Sequence, residues 1–145
     1  LELEITERGD SVGTAELQQI VDEFHACGLR LSLDDFGSQY ANLSLFANVR
    51  FDTVKLDRSL IAEVVSNPIS RTLVQDIVRI CCTHEMACVA EGVETREQVE
   101  VLLEAGCTFG QGFYYDRPIS MEEFERKYLC ASVSAEPEGS KEDRV

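Results

Sequence analysis

The chain has 145 residues, 44% of them apolar and 28% charged, and a formal net charge of −14. That length supports one domain with its own core. There is no long apolar run to span a bilayer and no charged-then-apolar leader at the start. Such acidity is ordinary for a soluble surface and disfavours direct binding to a nucleic-acid backbone, which needs a cationic footprint. A phosphate ligand still fits if divalent cations invert the local charge.

The chain opens on "LELEIT", a strand pattern without an initial Met, which reads as the interior of a longer protein. "TAELQQIVDEFHACG" follows as a helix. Thr14 is its expected N-cap, Leu17, Ile20, Val21 and Phe24 share one face, and Gly28 is the stop. "LRLSLDD" is the next strand, "ANLSLFANV" a short helix, "FDTVKLD" a strand and "SLIAEVV" a helical turn. Asn67 and Pro68 open a longer helix, with Pro68 near its first position. "MACVAEG" is a strand, and "TREQVEVLLEAG" a helix capped by Thr95 and stopped by Gly106. "CTFGQGFYY" is a short strand, and "SMEEFERKYL" a helix with Ser120 and Glu123 as its capping box. Residues 131–145 are polar without apolar period and read as a disordered tail, leaving 1–130 as the folded part.

Five βα units in succession imply an α/β fold with a parallel sheet. Its strands are expected to be apolar on both faces. The six cysteines form no CxxC pair. They read as small buried hydrophobes in a reducing cytosol rather than as a zinc or redox site. His25 and His84 sit on helices away from the strand ends and read as structural or surface residues.

Polar residues gather where the strands finish. These are Glu4 and Glu7, Asp34 and Asp35, Lys55 and Asp57, Glu91 and Glu94, and Gln111. A single such carboxylate is usually a helix cap or a loop residue. Five strands delivering them to one rim point to a site, because α/β folds place sites at the carboxyl ends of their strands. Converging carboxylates repel unless cations neutralise them, and hard oxygen ligands suit Mg²⁺ or Mn²⁺. The adjacent Asp34 and Asp35 supply a bridge between two ions if the strand ends there and Phe36–Gly37 turns the chain. Lys55 supplies a fixed positive charge, and Glu91 a general base for an attacking water. The chemistry that fits is two-metal hydrolysis of a phosphate ester.

The stretches "LEITE", "LDDFG", "VKLDRSLI", "VAEGVET" and "GQGFYYDRPI" resemble, in order, the C-terminal half of EAL domains, the bacterial cyclic di-GMP phosphodiesterases. The resemblance runs over about residues 1–128. It implies a partial TIM-type barrel and metal-dependent opening of cyclic di-GMP to linear pGpG. It also implies metal ligation by Glu4, Asp34, Asp35 and Glu91, with Lys55 and Glu91 catalytic. Glu7, Asp57, Glu94 and Gln111 become supporting residues, and Phe113 and Pro118 lie in the guanine-contacting segment. Two Mg²⁺ or Mn²⁺ ions, a cytoplasmic location and a homodimer of the intact domain belong to the same implication. In this sequence Gln39 stands where the family loop usually has a second glycine, and would be strained there if that glycine takes a positive φ. The Glu-Ala-Leu motif that names the family is expected upstream of Leu1, so the chain alone is expected to be inactive. The alternatives are a degenerate domain that binds cyclic di-GMP or a protein partner without cleaving, and an unrelated metal-dependent barrel enzyme.

Overall fold

In a computed structural model of the chain, the described residues are 1–6, 13–38 and 43–129. Five strands alternate with helices: β1 (Glu2–Thr6), α1 (Thr14–Ala26), β2 (Arg30–Phe36), α2 (Leu43–Asn48), β3 (Thr53–Leu56), α3 (Arg58–Glu63), α4 (Pro68–Thr83), β4 (Ala87–Glu91), α5 (Arg96–Glu104), β5 (Phe109–Gln111) and α6 (Met121–Phe124). A π-helical turn over Glu125–Leu129 continues α6. The expectation for residues 131–145 lies outside the described residues.

All four strand pairings are parallel, and the spatial order is the sequence order, β1 to β5. A doubly wound sheet would reverse its order at a switch point. A sequential order with every crossover on one side is the pattern of a βα barrel, here one arc of it. The arc's outer face holds the core. Leu31, Leu33, Val54, Leu56 and Ala90 point outward and are fully buried against Val21, Ile61, Val74, Val78 and Leu102 of the helices. Each such side chain contributes about 1.5–3 kcal/mol when fully buried. The sheet–helix interface therefore carries the stability.

The inner face corrects the expectation of strands apolar on both sides. Glu2 and Glu4, Arg30, Thr53 and Lys55, Ala87 and Val89, and Phe109 and Gln111 line an open concavity of about 350 Å³. Strand residues alternate in direction, so "ELEIT" and "TVKL" already divide into an apolar outer set and a polar inner set.

The helix ends follow local chemistry, with two departures. Gly13, not Thr14, occupies the N-cap of α1, and Thr14 is drawn into the first turn without a side-chain cap. At α6, Ser120 Oγ accepts the Glu123 N–H, but the Glu123 side chain turns toward Arg126 at 3.8 Å instead of closing a capping box. The complete box is at α5, where Thr95 and Gln98 cap each other reciprocally. Asn67 caps α4 with Pro68 in its first turn, as the sequence indicates. Among the described residues, no helix is long and apolar enough to cross a membrane.

Candidate active site

The paired aspartates sit on a bulge rather than at a strand's end. Leu33 pairs with Val54 and Phe36 with Leu56, so β2 carries one more residue than β3 over that interval. Asp35 absorbs it at φ 57. The left-handed region is one that Asp tolerates better than most side chains. The strand therefore continues to Phe36, where an end at Asp34 or Asp35 had been expected. The bulge breaks the alternation that would have sent the two carboxylates to opposite faces. Gly37 then turns the chain at φ 91, as expected. Leu60 packs so near that a Cβ on Gly37 would lie 2.9 Å from its Cδ2.

Carboxylate oxygens of Asp34, Asp35 and Glu91 come within 4.8 Å of one another, all three residues half-buried. Lys55 reaches into the same place from β3. Its Nζ lies 2.8 Å from Asp34, 2.9 Å from Glu91 and 2.9 Å from Glu4. The side chains of Lys55, Asp34 and Glu91 are nearly enclosed (16–17% exposed), whereas Glu4 is 53% exposed. Burial alone would lower the lysine pKa. The hydrogen bonds that the ammonium donates to Asp34, Glu4 and Glu91 outweigh it and hold the lysine pKa well above the ordinary range. Asp34 Oδ1 is buried, and its contact is the Lys55 ammonium at 2.8 Å. A buried carboxylate oxygen beside two further carboxylates suits a hard divalent cation. The donor set fits a metal of that class.

The other expected site residues divide. Gln111, at the end of β5, pairs in register with Glu91 and lines the concavity beside Glu4 and Lys55. Asp57 does not join the carboxylate cluster by any hydrogen bond or ion pair among the described residues. It caps α3, accepting from the Ser59 backbone N–H at 2.8 Å and from the Ser59 hydroxyl. Glu94 is exposed, and its backbone N–H donates to Gln98 Oε1 at 2.8 Å. Phe113 and Pro118 line a second cavity of about 350 Å³ with Glu94 and Gln111, and the Arg117 guanidinium lies 4.5 Å over the Phe113 ring. Glu7 and Gln39 lie outside the described residues.

Three contributors were not singled out from the sequence. Gln98 is buried, holds the loop after Glu91 through the N–H groups of Glu94 and Thr95, and donates to the Ile61 carbonyl at 3.1 Å. Its place three residues after Thr95 was the available signal. Asp116 accepts from Lys127 Nζ at 2.5 Å and from the Tyr128 hydroxyl at 2.6 Å, which ties the loop after β5 to the C-terminal turn. These bonds lower its pKa to about 2. Arg58 lines the second cavity from the first turn of α3. The histidines stand as expected: His25 bonds Asp52 at 2.9 Å, and His84 is an exposed C-cap.

The chain is similar to known proteins. Residues 1–118 match the family model described as EAL domain. The chain is 35% identical over 129 residues to the cyclic di-GMP phosphodiesterase PdeL of Escherichia coli (strain K12), covering 89% of this chain and 36% of that protein. The EAL domain of Mycobacterium smegmatis DcpA matches at TM-score 0.79 and 35% identity, over 90% of this chain and 58% of that one. Klebsiella pneumoniae BlrP1, solved as a complex with manganese and cyclic di-GMP, matches at TM-score 0.73 and 31% identity, over 81% of this chain and 30% of that one. The chain spans 16% to 36% of the length of the curated relatives it matches. With a half-barrel carrying its carboxylates at the strand ends, and with these matches over most of its length, the chain belongs to the EAL domain family.

Proposed function

We propose that this chain supplies the carboxylate-bearing arc of a cyclic di-GMP phosphodiesterase, which hydrolyses its substrate to linear pGpG. One observation carries the reading. Asp34, Asp35 and Glu91 bring carboxylate oxygens within 4.8 Å of one another at the C-terminal ends of parallel strands, with Lys55 among them. The chain's kinship with PdeL supports the substrate.

Asp34, Asp35, Glu91 and Glu4 would hold the metal, as two Mg²⁺ or Mn²⁺ ions. Bound there, the ions supply neutralisation of the phosphodiester charge and acidification of water. The protein's own part is proton handling and orientation. Glu91 accepts the proton of the attacking water as the new P–O bond forms and one P–O bond to ribose breaks, the departing ribose oxygen taking up a proton. Lys55 holds Asp34 and Glu91 in place through its ion pairs to both. Gln111 orients the attacking water beside Glu91. Phe113 and Pro118 offer an apolar wall to a guanine, Asp57 fixes α3 behind Lys55, Glu94 supports Glu91, and Glu7 anchors the loop after the aspartate pair.

Five strands are one arc of an eight-stranded barrel, so catalysis belongs to the full-length protein. Within it, residues 1–130 form the C-terminal portion of the EAL domain. A cytoplasmic location and a homodimer complete the proposal. The exposed apolar line of Ile69, Leu73 and Ile80 along α4 supports that helix as the contact surface. The test is turnover of cyclic di-GMP by the full-length protein with Mg²⁺ or Mn²⁺, comparing wild type with Glu91→Gln. Loss of a general base costs on the order of 10²- to 10⁴-fold in rate. Equal rates would remove Glu91 from the mechanism, and binding without turnover by the wild type would make the protein a sensor. The 145-residue chain alone is expected to show no turnover.

A further inference from the structure

The carboxylate cluster uses up its own cation. Lys55 Nζ is shared among Glu4, Asp34 and Glu91 at 2.8–2.9 Å, so the lysine is neutralised by the protein before any anionic ligand arrives. Apart from any metal, a phosphodiester bound at this rim would gain a direct contact from a further positive group of the protein. Arg30 lines the concavity around Lys55 from the N-terminal end of β2, and two further guanidiniums stand in the cavity that shares Gln111 with it. Arg117 is stacked on the Phe113 ring. Arg58 is not engaged: among the described residues no carboxylate stands within ion-pair distance of it, although Glu94 and Asp116 line the same cavity. Asp116 is taken by Lys127 and Tyr128.

Arg58 is also held at a fixed place. A Cβ on Gly92 would lie 2.6 Å from Arg58 Cβ and 2.9 Å from its Cγ, so the arginine stem runs directly across the Gly92 backbone. Gly92 follows Glu91 in the chain and sits at φ +68. The absent side chain leaves the groove in which the stem lies. Behind it, Asp57 pins the first turn of α3. An arginine whose stem is laid down beforehand loses less entropy on binding an anion, and its planar fork matches two phosphate oxygens.

We propose that Arg58 is a substrate-binding residue whose guanidinium takes phosphodiester oxygens of the bound dinucleotide, beside the carboxylate cluster. This rests on the phosphodiesterase reading above.

The test is calorimetric binding to the full-length protein of three probes: cyclic di-GMP, linear pGpG, and guanosine, which has no phosphate. Wild type is compared with Arg58→Met, which keeps the stem, and Arg58→Lys, which keeps the charge. Arg58→Met is expected to weaken both phosphate-bearing probes by about tenfold to a hundredfold, the scale of one charge-assisted contact. Guanosine should be unaffected. Arg58→Lys should recover part of the loss, and the salt dependence of pGpG binding should flatten in Arg58→Met. Phosphate-probe binding by Arg58→Met equal to wild type would overturn the proposal while leaving the phosphodiesterase reading intact. An equal loss for guanosine would also overturn it, since the contact would then be to the base. Failure of the wild type to bind either phosphate probe would end both.

Discussion

Replacing Lys55 by Met is the sharpest physical test of the cluster. The ammonium lies 2.8–2.9 Å from three carboxylates. At an effective dielectric of about 20, each such contact is worth roughly 5–6 kcal/mol before desolvation. Glu4 is more than half exposed, so solvent screens its share to about 1 kcal/mol or less. Asp34 and Glu91 are each 17% exposed and would be left facing each other and Asp35 with nothing to offset their repulsion. Breaking a buried ion pair by removing one partner costs about 3–5 kcal/mol. Without added metal, Lys55→Met should lose that much in urea unfolding at neutral pH. Glu91→Gln in the same background should restore about 2 kcal/mol or more, by removing one of the stranded charges. Millimolar Mn²⁺ should raise the unfolding midpoint of Lys55→Met more than that of wild type. A Lys55→Met protein as stable as wild type, with no coupling to Glu91, would show that the cluster is not the enclosed charge network described above.

Two further predictions concern the frame around the site. A Cβ on Gly112 would lie 2.1 Å from the Val93 carbonyl oxygen and 2.3 Å from its nitrogen, both backbone atoms that cannot swing aside. Gly112→Ala should therefore destabilise the protein by more than about 3 kcal/mol in thermal or urea unfolding; a loss below about 1 kcal/mol would mean that the two loops are not in contact. At the opposite rim, partial burial raises the Asp52 pKa, but the Leu31 N–H and the His25 ring more than reverse this, so the folded value lies below the ordinary aspartate value. A lowered carboxylate pKa stabilises the fold above the unfolded value of about 3.9 and ceases to do so as pH falls through the lower, folded value. The stability gap between wild type and Asp52→Asn should accordingly be open at neutral pH and close as pH falls through the lower, folded value, and a gap that widens on acidification would contradict the assignment.

Much of this was legible in the chain because local chemistry and tertiary packing agree. The βα rhythm, the caps at Asn67 and Thr95, and the stop at Gly28 are all set by neighbours within a turn or two. The collection of carboxylates at one rim followed from parallel strands alone. What failed to show depends on strand partners. The one-residue excess of β2 over β3 exists only as a difference between paired strands, so "LSLDDFG" read alone ends at its aspartates instead of bulging through them. Asp57 looked like a companion of Lys55 because the residues are two apart, yet β3 stops at Leu56 and hands Asp57 to the helix. Arg58 carried no signal at all. Its position matters only because Gly92, from a different βα unit, leaves room for it.

The sequential strand order has a consequence for how the molecule is made. Glu2 pairs with Arg30, Ser32 with Thr53, Thr53 with Ala87 and Val89 with Phe109, so each ladder closes over one intervening helix, or two between β3 and β4, and none waits for a distant segment. Loop-closure entropy stays modest at every step. The sheet can grow strand by strand behind the ribosome, each new unit docking on the one just completed.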